Sequence, residues 1–153
     1  MLWGCKSMME IKEIDWNDIN KIKALWEDLN AHHLLMSTNF KQFYSNFTFE
    51  KRIESLSKKE RLITFVAQYR GENIGYCIAS IDDLTGEIDS IFVKEQHRRT
   101  GIGSKLISFA LQWLEKERCE IIRVGIAEGN EAAIGFYKRF GFAERMVVMQ
   151  RTP

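Results

Sequence analysis

The chain has 153 residues, of which 45% are hydrophobic and 28% are charged, and its formal net charge is +1. This length predicts one domain, which we bound at residues 9–153, behind a disordered leader over residues 1–8. The near-neutral charge argues against a nucleic-acid partner, and no apolar run is long enough to cross a membrane. Three widely spaced cysteines without metal-ligand spacing predict free thiols, no bound metal and a cytoplasmic location.

The spacing of apolar residues predicts an α/β protein. In the first part of the chain we expect a strand at 10–15, a helix at 16–30 capped by Asp15, a connection or an irregular helix at 31–39, and a helical pattern at 40–56. Strands follow at 61–69, 74–81 and 87–93, then a long helix from 104 to about 117, a strand at 121–126, a helix opened by Asn130 and a last strand near 145–150. This order predicts a mixed, mostly antiparallel sheet of six to seven strands with helices on both faces.

A glycine-rich turn joins the strand at 87–93 to the long helix. The turn reads Arg98-Arg99-Thr100-Gly101-Ile102-Gly103-Ser104. The first N–H groups of a helix have no partner within it, and the helix dipole places about half a positive charge at that end. The two glycines let the backbone approach a phosphate closely, and the arginines add positive charge. The turn is therefore predicted to bind a pyrophosphate.

Two familiar nucleotide-binding motifs fit this turn less well. The dinucleotide fingerprint needs a third glycine where this chain has Leu106. A P-loop ends in Gly-Lys-Ser/Thr, whereas Gly103 is followed by Ser104 and then Lys105. The sequence therefore disfavours a nucleotide-binding α/β domain.

A second motif follows the strand at 121–126. It reads Asn130-Glu131-Ala132-Ala133-Ile134-Gly135-Phe136-Tyr137-Lys138-Arg139-Phe140-Gly141-Phe142. Asn130 is a good helix N-cap, and Gly141 can take the left-handed conformation that ends a helix. The two motifs together resemble the signatures of the GNAT superfamily of N-acetyltransferases. The resemblance is strong over residues 87–142 and extends to the rest of the chain as an order of elements.

The resemblance implies an acetyl-CoA-dependent N-acetyltransferase with the GNAT-like acyl-CoA N-acyltransferase fold, working by direct transfer in a ternary complex. Tyr137 would protonate the CoA thiolate. The strand at 87–93 would separate from its neighbour and offer main-chain N–H groups to the acetyl carbonyl and the pantetheine arm. Similar proteins are often dimers, and residues 145–150 are apolar enough to allow a homodimer. The residues that the resemblance assigns to the cofactor are Ile91, Phe92, Val93, Arg98, Arg99, Thr100, Gly101, Ile102, Gly103, Ser104, Asn130 and Tyr137.

Two carboxylates are candidates for the base that removes the proton of the amine. Residues two apart on a strand share a face, so we expect Glu87, Asp89, Ile91 and Val93 to lie on one side of the sheet. Histone-acetylating members of the superfamily have their base at the position of Glu87, and polyamine-acetylating members have a functional acid at that of Asp89. The sequence does not choose between them.

The acceptor is predicted from charge and location. Asp82, Asp83, Glu87 and Asp89 cluster around one turn with no basic residue among them, which favours a cationic amine such as a polyamine, an aminoglycoside-like amine or a lysine side chain. His32 and His33 fall in the region where GNAT enzymes build acceptor specificity. The alternative from another class is a non-catalytic acyl-CoA-binding sensor or partner protein.

Overall fold

The computed structural model describes residues 8–153, so the predicted leader lies outside the described residues except for Met8. The strands are β1 (Met9–Ile14), β2 (Arg61–Tyr69), β3 (Glu72–Asp82), β4 (Thr85–Val93) and β5 (Ile121–Val124). The helices are α1 (Lys23–Met36), α2 (Lys41–Asn46), α3 (Phe49–Leu56), α4 (Ile102–Lys116) and α5 (Ala132–Lys138), with 3₁₀ segments at Trp16–Ile22 and Glu95–His97. One sheet has the order β1-β2-β3-β4-β5, antiparallel throughout except for the parallel pair β4 and β5.

The described chain has five strands, so the expectation of six to seven is wrong. Residues 142–153 form no strand. The side chains of Met146 and Met149 are 63% and 91% exposed, and those of the two valines between them are similarly open. An apolar run has β propensity only where a neighbouring strand offers backbone partners and a surface to pack on. Within the described residues nothing pairs with this segment.

The helices before β2 differ from the sequence prediction in their bounds. Asp15 caps the first segment as predicted, because its carboxylate accepts from the N–H of Asn17 at 2.8 Å. That segment is 3₁₀, and α1 continues to Met36 through most of the stretch expected as a connection or an irregular helix. The second pattern divides into α2 and α3, since Thr48 leaves the helical conformation and its hydroxyl accepts from the N–H of Lys51 at 3.2 Å.

Helices cover both faces of the sheet, as predicted. On one face α4 and α5 pack on β3, and the fully buried side chains there include Cys77, Ala79, Ile81, Leu106, Ile107 and Leu114. On the other face the first 3₁₀ segment, α1 and α3 pack on the same strand, around Ile22, Leu25, Trp26, Leu56, Tyr76 and Ile78. Burying each large aliphatic side chain contributes about 1.5–3 kcal/mol. The two cores fix β3 at the centre and hold β4 beside it.

A β-bulge interrupts β4 at Asp89. Ile88 pairs with Ala79 and Ser90 pairs with Ile78, which leaves Asp89 as the extra residue. An inserted residue reverses the alternation of side chains beyond it. Ile91 therefore packs with the α4 core together with Val93, on the face opposite Asp89. The expectation that the two carboxylates share a face with these aliphatic residues is wrong for this reason.

The pairing of β4 with β5 is short. It runs from Thr85 opposite Ile121 to Ile88 opposite Val124, where β5 ends. From Asp89 onward, no strand among residues 8–153 lies beside the edge of β4 that faces β5. The separation of these strands that the resemblance implies is thus present, and it begins at the bulge.

Substitution of Gly129 tests how tightly the loop after β5 packs on the end of α1. Its φ is +85°, and a Cβ atom there would overlap the carbonyl oxygen of Met36. We expect Gly129→Ala to lower the free energy of unfolding by more than about 1 kcal/mol. The control is Gly135→Ala, within α5, where a Cβ meets nothing within 4 Å. Equal urea midpoints for the two variants would contradict this packing.

Candidate functional site

A cavity of about 310 Å³ opens where β4 and β5 separate. The lining contributed by β4 is residues 88–91, and that from the loop after β5 is residues 124–127 and Asn130. The first residues of α5 and the aromatic side chains of α1 and α2 close the remaining sides. A second hollow of about 360 Å³ lies between α2 and the C-terminal residues, but among the described residues its lining contains no aspartate, glutamate, histidine or tyrosine side chain. The first cavity is therefore where the chemistry predicted from the sequence can take place.

Asp89 lines the cavity with a carboxylate that is largely withdrawn from water. Its Oδ2 atom is buried and has no hydrogen-bond partner among the described residues. The pKa of Asp89 is raised to about 6, mainly by burial and also by the charge of Glu87, against the opposing effects of the nearby Ser80 hydroxyl and of the charges of Arg52 and Lys59. At neutral pH the carboxylate is charged and can accept a proton.

Glu87 occupies a different environment, outside the lining of the cavity. Its Oε2 atom lies 3.6 Å from Nζ of Lys59 and 3.8 Å from Nη2 of Arg123. Nζ of Lys59 also lies 3.1 Å from Oδ2 of Asp82. The acidic cluster therefore contains two cations, contrary to the expectation of a purely acidic turn. These cations are distant in sequence, since Lys59 lies in the turn between α3 and β2 and Arg123 lies on β5.

Tyr137 lines the same cavity from α5. The residue is 6% exposed, and its ring meets those of Phe136 and Phe142 edge-on, with centroids 5.2 and 5.6 Å away. Its hydroxyl makes no hydrogen bond within residues 8–153. Burial raises the pKa of Tyr137, so the phenol keeps its proton across the neutral range.

Asn130 also lines the cavity, but it is not the N-cap of α5. That helix begins at Ala132, and Glu131 is the capping position. The backbone reaches α5 through a turn in which the carbonyl of Asn130 accepts from the N–H of Ala133 at 3.0 Å. The predicted end of the helix is confirmed, since Gly141 has φ +87°.

The predicted phosphate turn enters α4 two residues earlier than expected, at Ile102. Positive φ values of +62° at Arg99 and +83° at Gly101 make the turn. The first bond of the helix runs from the N–H of Lys105 to the carbonyl of Gly101, so the N–H groups before Lys105 point out of the helix end. A Cβ atom at Gly103 would meet only Phe136 and Val93, at 3.7 Å or more. Internal packing therefore does not require glycine there.

Arg98 and Thr100 fasten this turn to the strand before it. Nε of Arg98 donates to the carbonyl of Val93 at 2.8 Å, and its guanidinium lies 5.3 Å from the centroid of the Phe92 ring. The hydroxyl of Thr100 donates to the carbonyl of His97 at 2.5 Å. The end of β4 and the start of α4 are thus held together as one corner.

The two histidines lie within α1, so of the two alternatives that the sequence left for this segment, a connection or an irregular helix, the helical one is nearer the structure. His33 lines the cavity, and its Nδ1 atom is buried without a hydrogen-bond partner in the described chain. Burial lowers the pKa of His33, with the neighbouring His32 adding to this effect, so its imidazole is neutral at pH 7. His32 is not part of the lining.

Sequence reasoning missed Arg52, which reaches the cavity from α3. Its Nη2 atom donates to the carbonyl of Asp89 at 2.7 Å. This bond satisfies a backbone oxygen at the bulge and brings a guanidinium to the cavity wall. An arginine on a short amphipathic helix gives no sequence signal for such a position, because the contact spans 37 residues.

Glu128 joins the two loops that border the cavity. Its Oε1 atom accepts from Oγ of Ser37 at 2.9 Å and from the backbone N–H groups of Thr38 and Asn39 at 2.5 and 2.9 Å. Its Oε2 atom accepts from Nδ2 of Asn39 at 2.8 Å. These bonds lower the pKa of Glu128 to about 2, the two from Asn39 most strongly. The carboxylate holds the loop after β5 against the end of α1.

Among residues 8–153 no group of three or more His, Cys, Asp or Glu side chains is arranged to hold a metal ion. No helix in this part of the chain is both long and apolar enough to cross a membrane.

The model of the Acetyltransferase (GNAT) family matches residues 22–142. An uncharacterized N-acetyltransferase of Methanocaldococcus jannaschii is 32% identical over 100 residues, which is 61% of this chain and 44% of that protein. An N-alpha-acetyltransferase of Sulfurisphaera tokodaii is 30% identical over 116 residues, 67% of this chain and 69% of the relative. The spermine/spermidine N(1)-acetyltransferase of Bacillus subtilis is 31% identical over 83 residues, 48% of this chain and 55% of the relative. The chain thus spans 44% to 69% of the length of these relatives.

The fold is that of solved acetyltransferases. An aminoglycoside acetyltransferase from an uncultured soil metagenomic sample, crystallised with sisomicin, has a TM-score of 0.71 at 19% identity. The match covers 95% of this chain and 96% of that one.

The Glu128 carboxylate gives a prediction about stability. Its pKa of about 2 in the folded chain lies below the ordinary 4.5, so its stabilisation is complete above pH 4.5 and is lost as the pH falls toward 2. We expect Glu128→Gln to lower the melting temperature at pH 7. The difference in melting temperature between variant and parent should become smaller as the pH falls from 5 to 3. The control is Glu120→Gln at an exposed side chain. A gap independent of pH would contradict this role.

Proposed function

This chain belongs to the acetyltransferase (GNAT) family, and we propose that it transfers the acetyl group of acetyl-CoA directly to an amine in a ternary complex. One observation carries the proposal: a buried carboxylate, whose Oδ2 atom has no hydrogen-bond partner in the described chain, and a buried phenol line one cavity at the separated ends of β4 and β5. The first can take a proton and the second can give one, which is what amide formation from an ammonium ion and a thioester requires.

The cofactor side of the site has groups that fit acetyl-CoA, which supplies an acetyl group activated as a thioester. Residues 91–93 pair with β3 on one side, and on the other side no strand of the described chain lies beside them. Main-chain groups on that open edge, apart from the Val93 carbonyl that Arg98 bonds, can bond a pantetheine arm and polarise the acetyl carbonyl. The outward N–H groups of Ile102, Gly103 and Ser104 suit a pyrophosphate. Asn130 and Tyr137 border the space between these two places.

Asp89 is the group to which we assign proton removal, in preference to Glu87. Asp89 lines the cavity with a free oxygen, whereas Glu87 lies outside the lining between two cations. A carboxylate with a pKa of about 6 is a stronger base than an ordinary one and is still ionised at pH 7. It takes one proton from the ammonium, directly or through a water molecule, and passes it to solvent.

Tyr137 is the acid of the proposed reaction. A new bond forms between the amine nitrogen and the acetyl carbon, and the carbon–sulfur bond breaks. The Tyr137 hydroxyl gives its proton to the departing sulfur and recovers one from solvent. The products are the N-acetylated amine, free CoA and one proton. High burial suits this role because it keeps the phenol protonated until the sulfur accepts the proton.

The alternative is a sensor that binds acyl-CoA without turnover. It would use the cofactor side of the cavity and have no need of a desolvated carboxylate on the other side. Burying such a charge without a partner destabilises the fold, so its presence supports an enzyme. Cofactor binding without release of thiol on any amine would favour the sensor.

Two further proposals concern the setting of the reaction. Cys77 and Cys119 are free thiols, which fits a reducing compartment such as the cytoplasm. A homodimer stays part of the proposal because the residues 146–149 are apolar and exposed in the single chain.

Gly103→Glu tests the pyrophosphate site. The new carboxylate suits the first turn of a helix, so folding should be unaffected, but its charge would repel a diphosphate. We expect the affinity for acetyl-CoA, measured by calorimetric titration, to fall at least about 100-fold. This corresponds to the loss of ~3 kcal/mol of binding free energy when an attractive contact to the diphosphate becomes repulsive. Gln112→Glu adds the same charge at an exposed position of α4 and should bind normally. Undiminished binding by the Gly103 variant would contradict the assignment.

Asp89→Asn tests the base. In the parent, kcat/KM should rise with pH through a pKa of about 6; this rise is the acid limb of the pH profile. The asparagine variant should lose most of the activity, and its kcat/KM should no longer show the acid limb. Because the folded pKa is above 3.8, the charge costs stability as the pH rises from 3.8 to 6. The variant should therefore gain stability relative to the parent across that window. Glu87→Gln is the matched control, and the account fails if it abolishes the limb instead.

A further inference from the structure

Two charged side chains line the cavity, and they have opposite signs. Asp89 contributes a carboxylate, and Arg52 contributes a guanidinium. The bond from Arg52 to the carbonyl of Asp89 uses one of its five N–H donors. No carboxylate of the described chain lies within ion-pair distance of that guanidinium. Within the described chain the cavity wall thus holds a guanidinium that forms no ion pair within 4.0 Å, and near it a carboxylate whose Oδ2 atom has no hydrogen-bond partner.

These two unmet groups define what an occupant must offer. A planar guanidinium matches a carboxylate, and the bond is strongest in a half-buried site where water is scarce. The buried oxygen of Asp89 needs an N–H donor, which an ammonium group supplies. A molecule that carries an ammonium and a carboxylate close together satisfies both.

Part of the cavity wall is aromatic. Trp26, Tyr44 and Phe47 line it, with Leu29 beside them. Trp26 and Phe47 meet edge-on with ring centroids 5.5 Å apart, and Asn30 fixes the turn after α2 through its bond to the carbonyl of Tyr44 at 2.9 Å. Such a rigid wall suits an apolar or aromatic substituent.

We propose that the acceptor is an α-amino acid with a large apolar side chain, its carboxylate bound by Arg52, its amine facing Asp89 and its side chain lying on the aromatic wall. This inference rests on the proposed function and deepens it by naming the substrate class. The polyamine, aminoglycoside-like or lysine acceptor expected from the sequence stays the competing prediction, and the experiment below separates the two.

The charges around the cavity argue against a polyamine. A polyamine carries several positive charges, and each needs an anionic partner when it leaves water. Of the acidic cluster only Asp89 reaches the cavity, while Asp82 and Glu87 are paired with Lys59 outside it. Arg52 would repel the second ammonium group of such a substrate.

The proposed reaction consumes the amino acid and acetyl-CoA in equal amounts. The amine nitrogen forms a bond to the acetyl carbon, the carbon–sulfur bond breaks, and an N-acetyl amino acid and free CoA result. The ammonium starts with three protons: one passes to Asp89 and on to solvent, a second leaves for solvent as the amide forms, and the third stays on the amide nitrogen. Tyr137 gives its proton to the sulfur and recovers one from solvent, so the net release is one proton. The carboxylate stays on Arg52 and does not react.

The experiment compares acceptors that differ by one group, with free thiol as the readout. L-Phenylalanine carries the carboxylate, phenylalaninamide replaces it with a neutral amide, phenethylamine lacks it, and spermidine represents the polyamines. We expect kcat/KM for phenylalanine to exceed that for each of the other three amines at least about 10-fold. This is the ratio that one additional charge-assisted hydrogen bond, between the carboxylate and Arg52, would contribute.

Arg52→Gln tests the assignment of the carboxylate. The amide keeps an N–H donor for the carbonyl of Asp89 but removes the charge. The preference for phenylalanine over phenethylamine should fall at least about 10-fold, mainly through KM. Arg118→Gln, at an exposed position after α4, loses the same charge and should keep the preference. Calorimetric titration with phenylalanine gives the same comparison without turnover.

The outcomes separate this inference from the function on which it rests. Equal or better turnover of phenethylamine, the amide or spermidine overturns the amino-acid assignment and leaves the acetyltransferase standing. A preference for phenylalanine that survives Arg52→Gln also overturns it. Absence of thiol release with every amine, despite acetyl-CoA binding, contradicts the proposed function and this inference with it.

Discussion

The site depends on one constraint in the sheet: the pairing of β4 with β5 stops after Ile88 and Val124. Beyond this point β4 stays anchored to β3, and β5 gives way to a loop that leads to α5. The β-bulge at Asp89 lies at the same place and turns its carboxylate into the opening while the following aliphatic residues enter the α4 core. A continuous ladder here would leave no cavity and no free backbone edge. One interruption therefore provides both the space and the groups that face it.

The surroundings of the cavity are arranged to hold this interruption open. Arg52 bonds the carbonyl of Asp89 from one side of the bulge, and Arg98 bonds the carbonyl of Val93 where the strand ends. Glu128 holds the loop after β5 on the end of α1 with four hydrogen bonds. Burying the Asp89 carboxylate lowers the free energy of unfolding, and stabilising contacts elsewhere, such as those of Glu128, offset this loss. Such an arrangement is typical of functional sites, where a buried charge takes part in binding or catalysis.

The sequence predicted those features whose causes are local. The strand at residues 61–69, the cap at Asp15, the left-handed Gly141 and the turn into α4 follow from short-range patterns and are confirmed. The bulge could not be predicted, because it reflects how β4 fits between β3 and two cores. The paired acids and the position of Arg52 depend on contacts between residues 23 to 37 apart. The missing last strand shows the same limit, since an apolar run does not say whether a partner strand is present.

The most direct test of the central claim follows backbone amide signals by NMR as acetyl-CoA is added to the labelled protein. If the cofactor lies along the free edge of β4 and at the start of α4, the amides of residues 91–93 and 102–104 should shift most and saturate together with a single affinity. Largest shifts at the hollow between α2 and residues 150–153, with β4 unchanged, would contradict the account.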